Sequence, residues 1–326
     1  MSIPTQETGF ADAISADART GLQSIRPSSP FRIWVDDETA FSTAKVCSIR
    51  HNYHEHPLMQ VDRLAELAKS LMPNGQCRFI EPGTKQDSAF NHKAESSSGL
   101  GIEEIFRRIE EPGSWVALYN VQTDPAYDRF LWEALGSVKH LIERYEPGVF
   151  KVQGFIFISA PPSVTPFHMD RENNFWLQIR GRKTINIWEP FDSETVATSD
   201  VEDFIVHRTL AGVRLRDGAM DRSHEFDTSP GDGVYFASTS PHATRSDPQW
   251  TRPGDGVSIS IGIVFYTSVT RRNANVHAFN RVLRRLGMNP QPPGKSAWLD
   301  KVKYPFGRAV VTLLRLLRGY SPPKGF

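Results

Sequence analysis

The sequence is poor in cysteine and has no long apolar run. Two cysteines, Cys47 and Cys77, are too few for a disulfide framework, so we expect a reducing compartment, the cytoplasm. No stretch of about 18 apolar residues is present, so we expect no membrane-spanning helix. The N-terminus has neither the basic nor the apolar region of a secretory signal peptide. Residues 1–28 are polar and rich in Ser, Ala and Asp, which predicts a flexible segment.

Acidic residues are scarce near the C-terminus. Residues 269–326 hold twelve Lys and Arg against one acid, Asp300, which is a net charge of +11. Because the whole chain carries a formal +1, the remainder carries −10. Residues 274–286, with Leu286 on the inner face, and residues 306–317 have the apolar spacing of amphipathic helices. We expect them to pack on each other or on the partner subunit of a homodimer, with basic outer faces. Charge and amphipathicity alone support the alternatives, a nucleic acid or an anionic membrane surface.

The region after residue 28 mixes helical and strand patterns. Helices are predicted at residues 60–71, 101–109 and 128–145. Strands are predicted at residues 31–35, 44–51, 77–80 and 114–121. Residues 82–100 have the composition of a loop.

The apolar periodicity changes to two from residue 150. Strands are predicted at residues 153–159, 174–179, 183–188, 234–237 and 256–266. Short strands between Gly/Pro turns favour an antiparallel barrel or double sheet. Residues 191–229 are a long polar insertion, predicted to be a lid or substrate loop. We therefore expect a mainly β domain at 29–268, with an N-terminal α/β elaboration and a C-terminal helical region at 269–326.

Candidate metal ligands lie in and after residues 166–190. His168 and Asp170 form a His-x-Asp pair, and alternate residues of a strand point to the same face. His242 follows a Pro-Gly-Asp-Gly turn and a strand further along the chain. An antiparallel double sheet brings a late strand beside an early one, which would place His242 next to the pair. One carboxylate and two imidazoles form the facial triad of non-haem Fe(II) oxygenases.

The run at residues 165–183, TPFHMDRENNFWLQIRGRK, resembles a known family pattern. The pattern is Thr-x-x-His-x-Asp, three residues, Asn-Phe, then Gln-Ile-x-Gly-x-Lys, and the spacings match without a gap. It is similar to the cupin-like branch of the JmjC-type Fe(II)/2-oxoglutarate oxygenases, in particular the factor-inhibiting-HIF type of asparaginyl hydroxylase. The resemblance covers residues 150–266 well and residues 114–128 loosely, and it implies a double-stranded β-helix, or jelly roll.

The resemblance also implies a role for each matching residue. His168, Asp170 and His242 would hold Fe(II). Three further residues, Thr165, Asn174 and Lys183, would bind 2-oxoglutarate. A buried distal carboxylate needs a cation and hydroxyl donors, which Lys183 and Thr165 supply, whereas Asn174 would contact the metal-chelating end.

The sequence departs from the family at one cosubstrate position. The related hydroxylases carry an asparagine on the strand after the second histidine, and this chain has Gly262 there. Residues 243–255 are also longer than the connection in those relatives. Ser258 or Ser260 is a candidate substitute for the missing amide.

Other chemistry-bearing residues favour simpler interpretations. His51, His54 and His56 are spaced as metal ligands can be, but their surroundings favour a surface turn. Core packing is the favoured interpretation for the aromatic residues Tyr119, Trp176 and Trp188.

These patterns predict an Fe(II)/2-oxoglutarate-dependent dioxygenase, a hydroxylase or demethylase that oxidises a C–H bond of a protein, peptide or small molecule. The alternative is a non-catalytic cupin-type module that binds a ligand or a partner, because one fold hosts both uses. The pair of Lys183 and Thr165 discriminates between them, since a pure binding module has no evident need for a buried cation near the triad.

Overall fold

The computed structural model of the chain describes residues 29–80, 101–247, 249, 256–322 and 325–326. The predicted flexible segment 1–28 and the predicted loop 82–100 lie outside the described residues. Among the helices of the described part, none combines the length and the apolar character needed to cross a bilayer.

The described strands form two antiparallel sheets. In chain order they are β1 (Ile33–Trp34), β2 (Cys47–His51), β3 (Cys77–Ile80), β4 (Trp115–Tyr119), β5 (Phe150–Ser159), β6 (Ser163–Met169), β7 (Asn173–Arg180), β8 (Lys183–Ile187), β9 (His224–Thr228), β10 (Asp232–Phe236), β11 (Pro241–Ser246) and β12 (Ser258–Tyr266). The larger sheet has the order β1-β2-β10-β7-β12-β5-β4-β3, and the smaller sheet has the order β6-β11-β8-β9. From β5 to β12 the chain crosses repeatedly between the two sheets, so that β5, β7, β10 and β12 belong to the larger sheet and β6, β8, β9 and β11 to the smaller one. This is the topology of a double-stranded β-helix. The predicted fold class is confirmed, and β1 to β4 extend the larger sheet at both edges.

The link between β7 and β8 is short, but it does not make a hairpin. The two strands lie in different sheets, so residues 181–182 carry the chain across the edge of the jelly roll. Gly181 has φ +65°, and a Cβ at this position would lie 2.8 Å from the carbonyl oxygen of Val257. The crossing therefore requires glycine, because a side chain would collide with backbone.

Strand β12 explains why the jelly roll encloses a cavity. It pairs with β5 on one side and β7 on the other, and all nine of its residues are buried. Its isoleucines join the hydrophobic core that includes the helix spanning Pro125–Glu143. The alternate positions Ser260 and Gly262 line the interior cavity instead. Small residues on the inner face leave space between the sheets.

Six α-helices surround the sheets within the described residues. They are α1 (Val61–Leu71), α2 (Ile102–Arg107), α3 (Pro125–Glu143), α4 (Thr198–His207), α5 (Ser268–Arg285) and α6 (Ala297–Arg318). Helix α3 begins where the Asp124 side chain accepts hydrogen bonds from the backbone N–H groups of Ala126 and Tyr127, with Pro125 at the first helical position. Its buried face covers the larger sheet.

The segment 191–229 is more ordered than the predicted polar insertion. It contains α4, whose Val201, Phe204 and Ile205 are buried at helical spacing. It also contains β9, which pairs with β8 at the edge of the smaller sheet. Strand β9 shows no alternation of apolar and polar residues in the sequence, because it lies at the edge of the sheet and contains a single apolar residue, Phe226.

Helices α5 and α6 form the predicted C-terminal pair and pack on α4. Val206, Ala278 and Val311 make a small core where the three helices meet. Leu286 was expected to point inward, but α5 ends at Arg285 and Leu286 is 70% exposed. The outer face of α6 is also more apolar than the predicted basic face, since Trp298, Phe306 and Leu316 are exposed there. The predicted domain boundary after residue 268 stays a prediction.

Candidate functional site

Two neighbouring strands of the smaller sheet bring the candidate metal ligands together. His168 lies near the end of β6, and Asp170 follows directly after that strand. His242 is the second residue of β11, which pairs with β6 so that His242 lies opposite His168. Their ring centroids are 4.1 Å apart. The expected meeting of a late strand with an early one therefore occurs here.

Hydrogen bonds between two turns hold the ligands in register. The loop before β11 donates through Thr239 N to the Asp170 carbonyl, over 2.8 Å. In the same loop, Ser238 N donates to Asn173 Oδ1 and Ser238 Oγ donates to the Arg171 carbonyl, both over 2.8 Å. These contacts couple the turn after β6 to the loop that delivers His242.

Both histidines have a backbone carbonyl beside one ring nitrogen. His168 Nδ1 lies 2.7 Å from the Pro166 carbonyl oxygen, and His242 Nδ1 lies 3.1 Å from that of Ser240. A carbonyl accepts hydrogen bonds only, so each Nδ1 is the protonated nitrogen of the neutral ring. Each Nε2 then keeps its lone pair, which is the arrangement found at metal-ligating histidines.

The donor set fits a divalent metal ion. The nearest ligand atoms of His168, Asp170 and His242 all lie within 4.8 Å of one another. His242 Nε2 and Asp170 Oδ2 are 3.7 Å apart, less than the roughly 4.2 Å that two ligands on opposite sides of one ion span at about 2.1 Å each. Burial lowers the pKa of His242 to about 4, which keeps the imidazole neutral at pH 7, as a metal ligand must be.

A cavity of about 500 Å³ opens beside these three residues. The three predicted cosubstrate residues, Thr165, Asn174 and Lys183, line the same cavity. Thr165 comes from β6, Asn174 from β7 and Lys183 from the first position of β8. The structure therefore gathers all six predicted residues around one space inside the jelly roll.

Lys183 is a buried cation without a carboxylate partner among the described residues. Its side chain is 2% exposed, and its ammonium group donates to Ser159 Oγ over 3.2 Å. Burial lowers the pKa of Lys183 to about 8, because the charged form is poorly solvated. A carboxylate that enters the cavity would supply the missing counter-charge.

Asn174 and Gly262 face each other across the inner side of the larger sheet. A Cβ on Gly262 would lie 3.2 Å from Asn174 Oδ1 and 3.3 Å from Asn174 Nδ2. The amide of Asn174 thus occupies the space that a side chain at position 262 would need. Ser260 lines the cavity beside them, whereas Ser258 accepts a hydrogen bond from Gln178 Nε2 over 2.9 Å.

The cavity lining also contains charged residues that were not predicted. Glu172 accepts a hydrogen bond from Tyr266 Oη over 2.5 Å and another from the backbone N–H of Arg171 over 2.9 Å. Burial and the nearby Asp170 raise the pKa of Glu172. Arg171 and Arg208 also line the cavity, with Phe204 and Leu210 from the segment 191–229. The sequence offered one indication of this role, because Glu172 lies two residues after Asp170 and alternate residues of an extended segment point to the same face.

The remaining sequence-level predictions have mixed outcomes. The surface-turn prediction is wrong for His51, which is 1% exposed; its Nε2 lies 3.1 Å from the Asp232 carbonyl oxygen, and burial lowers its pKa to about 4. Trp188 packs in the core as predicted and donates from its indole N–H to the Ala219 carbonyl over 2.7 Å. Trp176 is 4% exposed and belongs to a buried apolar cluster, as predicted, and it also lines the cavity. Tyr119 is half-buried and lines the cavity, contrary to the preferred core interpretation.

Comparisons with known proteins give a fold-level likeness only. No protein-family model matches the chain, and no curated protein matches it in sequence. A structure of E. coli YcfD is 15% identical, covers 86% of this chain and 67% of its own, and superposes with a TM-score of 0.45. YcfD, "a Ribosomal oxygenase", in complex with cobalt and 2-oxoglutarate, is 15% identical with a TM-score of 0.41, over 84% of this chain and 64% of that one.

A further similar structure is the non-heme alpha-ketoglutarate-dependent epimerase SnoN from nogalamycin biosynthesis. It is 9% identical, with a TM-score of 0.39, over 71% of this chain and 81% of that chain. The chain therefore spans about two thirds of the YcfD structures and most of SnoN.

Proposed function

We propose that the chain is an Fe(II)- and 2-oxoglutarate-dependent oxygenase of the JmjC type. One observation carries the proposal. A buried lysine that lacks a carboxylate partner among the described residues shares one cavity with two histidines and an aspartate arranged as metal ligands. The resemblance of residues 165–183 to the family pattern supports the same assignment, and within that family we propose the factor-inhibiting-HIF type of hydroxylase.

In this proposal the chain's own groups bind and orient the reactants. His168, Asp170 and His242 would hold the metal on one side and leave its other side open to the cavity. Lys183 would pair with the distal carboxylate of 2-oxoglutarate, and Thr165 would donate its hydroxyl to the same group. Asn174 would contact the metal-chelating end. Iron with bound 2-oxoglutarate would supply O2-dependent oxidation of a C–H bond, with succinate and CO2 as coproducts.

The substrate would bind beside Glu172, Tyr266 and Arg208, which line the cavity. Both signs of charge occur there, so the lining suits a polar group. A protein or peptide side chain, or a small molecule, is our proposal for the substrate. Hydroxylation is the proposed outcome, and demethylation follows where the oxidised carbon is bonded to nitrogen.

Two further features belong to the proposal. The exposed apolar residues of α6, including Trp298 and Phe306, would be covered in a homodimer formed through the C-terminal helices. Cys47 and Cys77 are free thiols, which suits the reducing cytoplasm.

Spectroscopy of the metal site tests the proposal without a known substrate. Fe(II) and then 2-oxoglutarate are added without oxygen, and we expect the weak visible metal-to-ligand charge-transfer band of this enzyme class. His168→Ala should abolish the band, and Lys183→Ala should shift its appearance to higher 2-oxoglutarate concentration. His140→Ala, which removes an exposed histidine that pairs with Glu38, should leave the band unchanged.

Absence of the band in a folded, metal-loaded protein would contradict the oxygenase proposal. That outcome would favour the cupin-type binding module, in which the cavity holds a different ligand. A band of parental intensity in His168→Ala would show that the metal lies elsewhere.

A further inference from the structure

A second cavity, of about 700 Å³, lies against the first half of α5. It shares Arg171 and Tyr266 with the first cavity, and its other lining residues are different. Of those other residues, Asn173, Ser238 and Thr239 help to hold the candidate metal ligands in register, whereas the lining residues of α5 have no role in the proposed oxygenase function. Asn173, Thr270 and His277 are buried lining residues, and Lys45 and Lys295 are exposed ones.

Positive charge dominates the lining of this second cavity. Four cationic side chains line it, namely Lys45, Arg171, Arg272 and Lys295. Two carboxylates also line it, and both already have partners. Glu146 accepts from Asn173 Nδ2 over 2.9 Å and from Thr267 Oγ1 over 2.6 Å, and Glu189 lies 2.9 Å from His224 Nε2. A ligand would therefore meet a net positive surface.

Several buried polar atoms of α5 at this cavity have no hydrogen-bond partner among the described residues. They are Arg272 Nε, Asn273 Oδ1 and both ring nitrogens of His277. His277 is 1% exposed, and burial with nearby cations lowers its pKa to about 3, so its ring is neutral. A neutral imidazole has one donor and one acceptor nitrogen. Because buried polar groups are nearly always paired, this cluster calls for a ligand that both accepts and donates hydrogen bonds.

We propose that the second cavity binds a small anion that carries hydroxyl groups, a polyol phosphate or a hydroxycarboxylate. The anionic group would meet the cationic lining and accept from Arg272. The hydroxyls would donate to Asn273 Oδ1 and pair with His277. Neither a simple apolar ligand nor a cation satisfies this set. Because Arg171 also borders the first cavity, the ligand would contact a residue adjacent to Asp170, but its binding would need no metal.

Titration calorimetry on the metal-free 326-residue chain tests this site. The probes are glycerol 3-phosphate and citrate, at constant ionic strength, with glycerol as the uncharged comparison. We expect one of the two anions to bind and glycerol not to bind. Glycerol 3-phosphate alone would identify a phosphate site, and citrate alone would identify a carboxylate site.

Matched variants locate the bound anion. Arg272→Met and His277→Phe should each weaken binding by about tenfold or more, as expected for the loss of a hydrogen bond to an anion. Arg271→Met removes the same charge from the neighbouring residue, which lies over the Phe150 ring outside the cavity, and should change the affinity by less than about twofold. Lys183→Met should also have no effect, because Lys183 lines the first cavity.

Three outcomes would overturn the proposal. The first is that neither anion binds. The second is that anion binding survives both Arg272→Met and His277→Phe. The third is that Lys183→Met abolishes anion binding, which would place the anion in the first cavity. Failure of the oxygenase proposal would not affect this test, because no metal or turnover is involved.

Discussion

Replacing Lys183 by methionine should make the protein more stable at pH 7 while weakening its binding of 2-oxoglutarate. Lys183 is buried, and burial lowers its pKa from the ordinary 10.5 to about 8. The charged form is therefore disfavoured by folding. The cost is fully present below pH 8 and is relieved as the pH rises towards 10.5. At about 1.36 kcal/mol for each pKa unit, folding the charged lysine costs roughly 3 kcal/mol at pH 7 and roughly 1 kcal/mol at pH 9.5.

Methionine has a similar volume and no charge, so it avoids this cost but loses the hydrogen bond to Ser159, which is worth about 1 kcal/mol. We expect Lys183→Met to raise the free energy of unfolding by about 2 kcal/mol at pH 7 and to have an effect near zero at pH 9.5. Conversely, removing the cation should weaken 2-oxoglutarate binding by roughly 100-fold or more, since an unpaired buried carboxylate costs about 3–5 kcal/mol.

Urea unfolding at both pH values and anaerobic 2-oxoglutarate titration measure the two effects. Lys183→Arg is the control, because it keeps a charge that burial still disfavours and should give no gain in stability. A Lys183→Met protein that is less stable at pH 7, or whose stability difference is the same at both pH values, would refute the reasoning about the buried charge.

Three other predictions follow from described contacts. The affinity for 2-oxoglutarate, measured by anaerobic titration, should fall as the pH rises above 8, because free Lys183 then loses its proton before the ligand binds; a flat profile up to pH 10 would contradict this. Gly262→Ala should raise the KM for 2-oxoglutarate several-fold without loss of metal, because its Cβ would lie 3.2 Å from the Asn174 amide, and an unchanged KM would show that Asn174 does not contact the cosubstrate. Arg284→Met should lower the free energy of unfolding by about 3 kcal/mol, since it leaves Glu202, which is 1% exposed, without its ion-pair partner; Arg285→Met is the matched control.

Local pattern predicted most of the strands because burial imposes alternation. Strand β3 has the predicted bounds, and β7, β8 and β10 differ from prediction by one or two residues at their ends. Five of the six candidate site residues came from their spacing along 165–183, which matches a family pattern, and His242 came from the turn and strand that precede it. These residues meet around one cavity because the strands form an antiparallel double sheet, a topology that the alternating strand pattern had favoured.

Long-range contacts explain what the sequence did not reveal. Whether residues 181–182 make a hairpin or cross between sheets depends on the contact of Gly181 with Val257, far along the chain. His51 is buried because β2 pairs with β10, and no sequence pattern near His51 predicts that pairing. The second cavity is formed by loops from several parts of the chain against α5, so no motif marks it.

The central position of β12 has a consequence for which 2-oxo acids the proposed site can use. Ser258 lies opposite Ser159, the hydrogen-bond partner of Lys183, and Gly262 lies opposite Phe155, beside Asn174. Hydrogen bonds on both edges lock this register, and a slip of one residue would turn the inner face outward. The separation between the cationic end and the metal end is therefore a property of the backbone. We therefore expect the site to select the chain length of the oxo acid. A shorter homologue would not reach from Lys183 to the metal ligands, and a longer homologue would not fit between them.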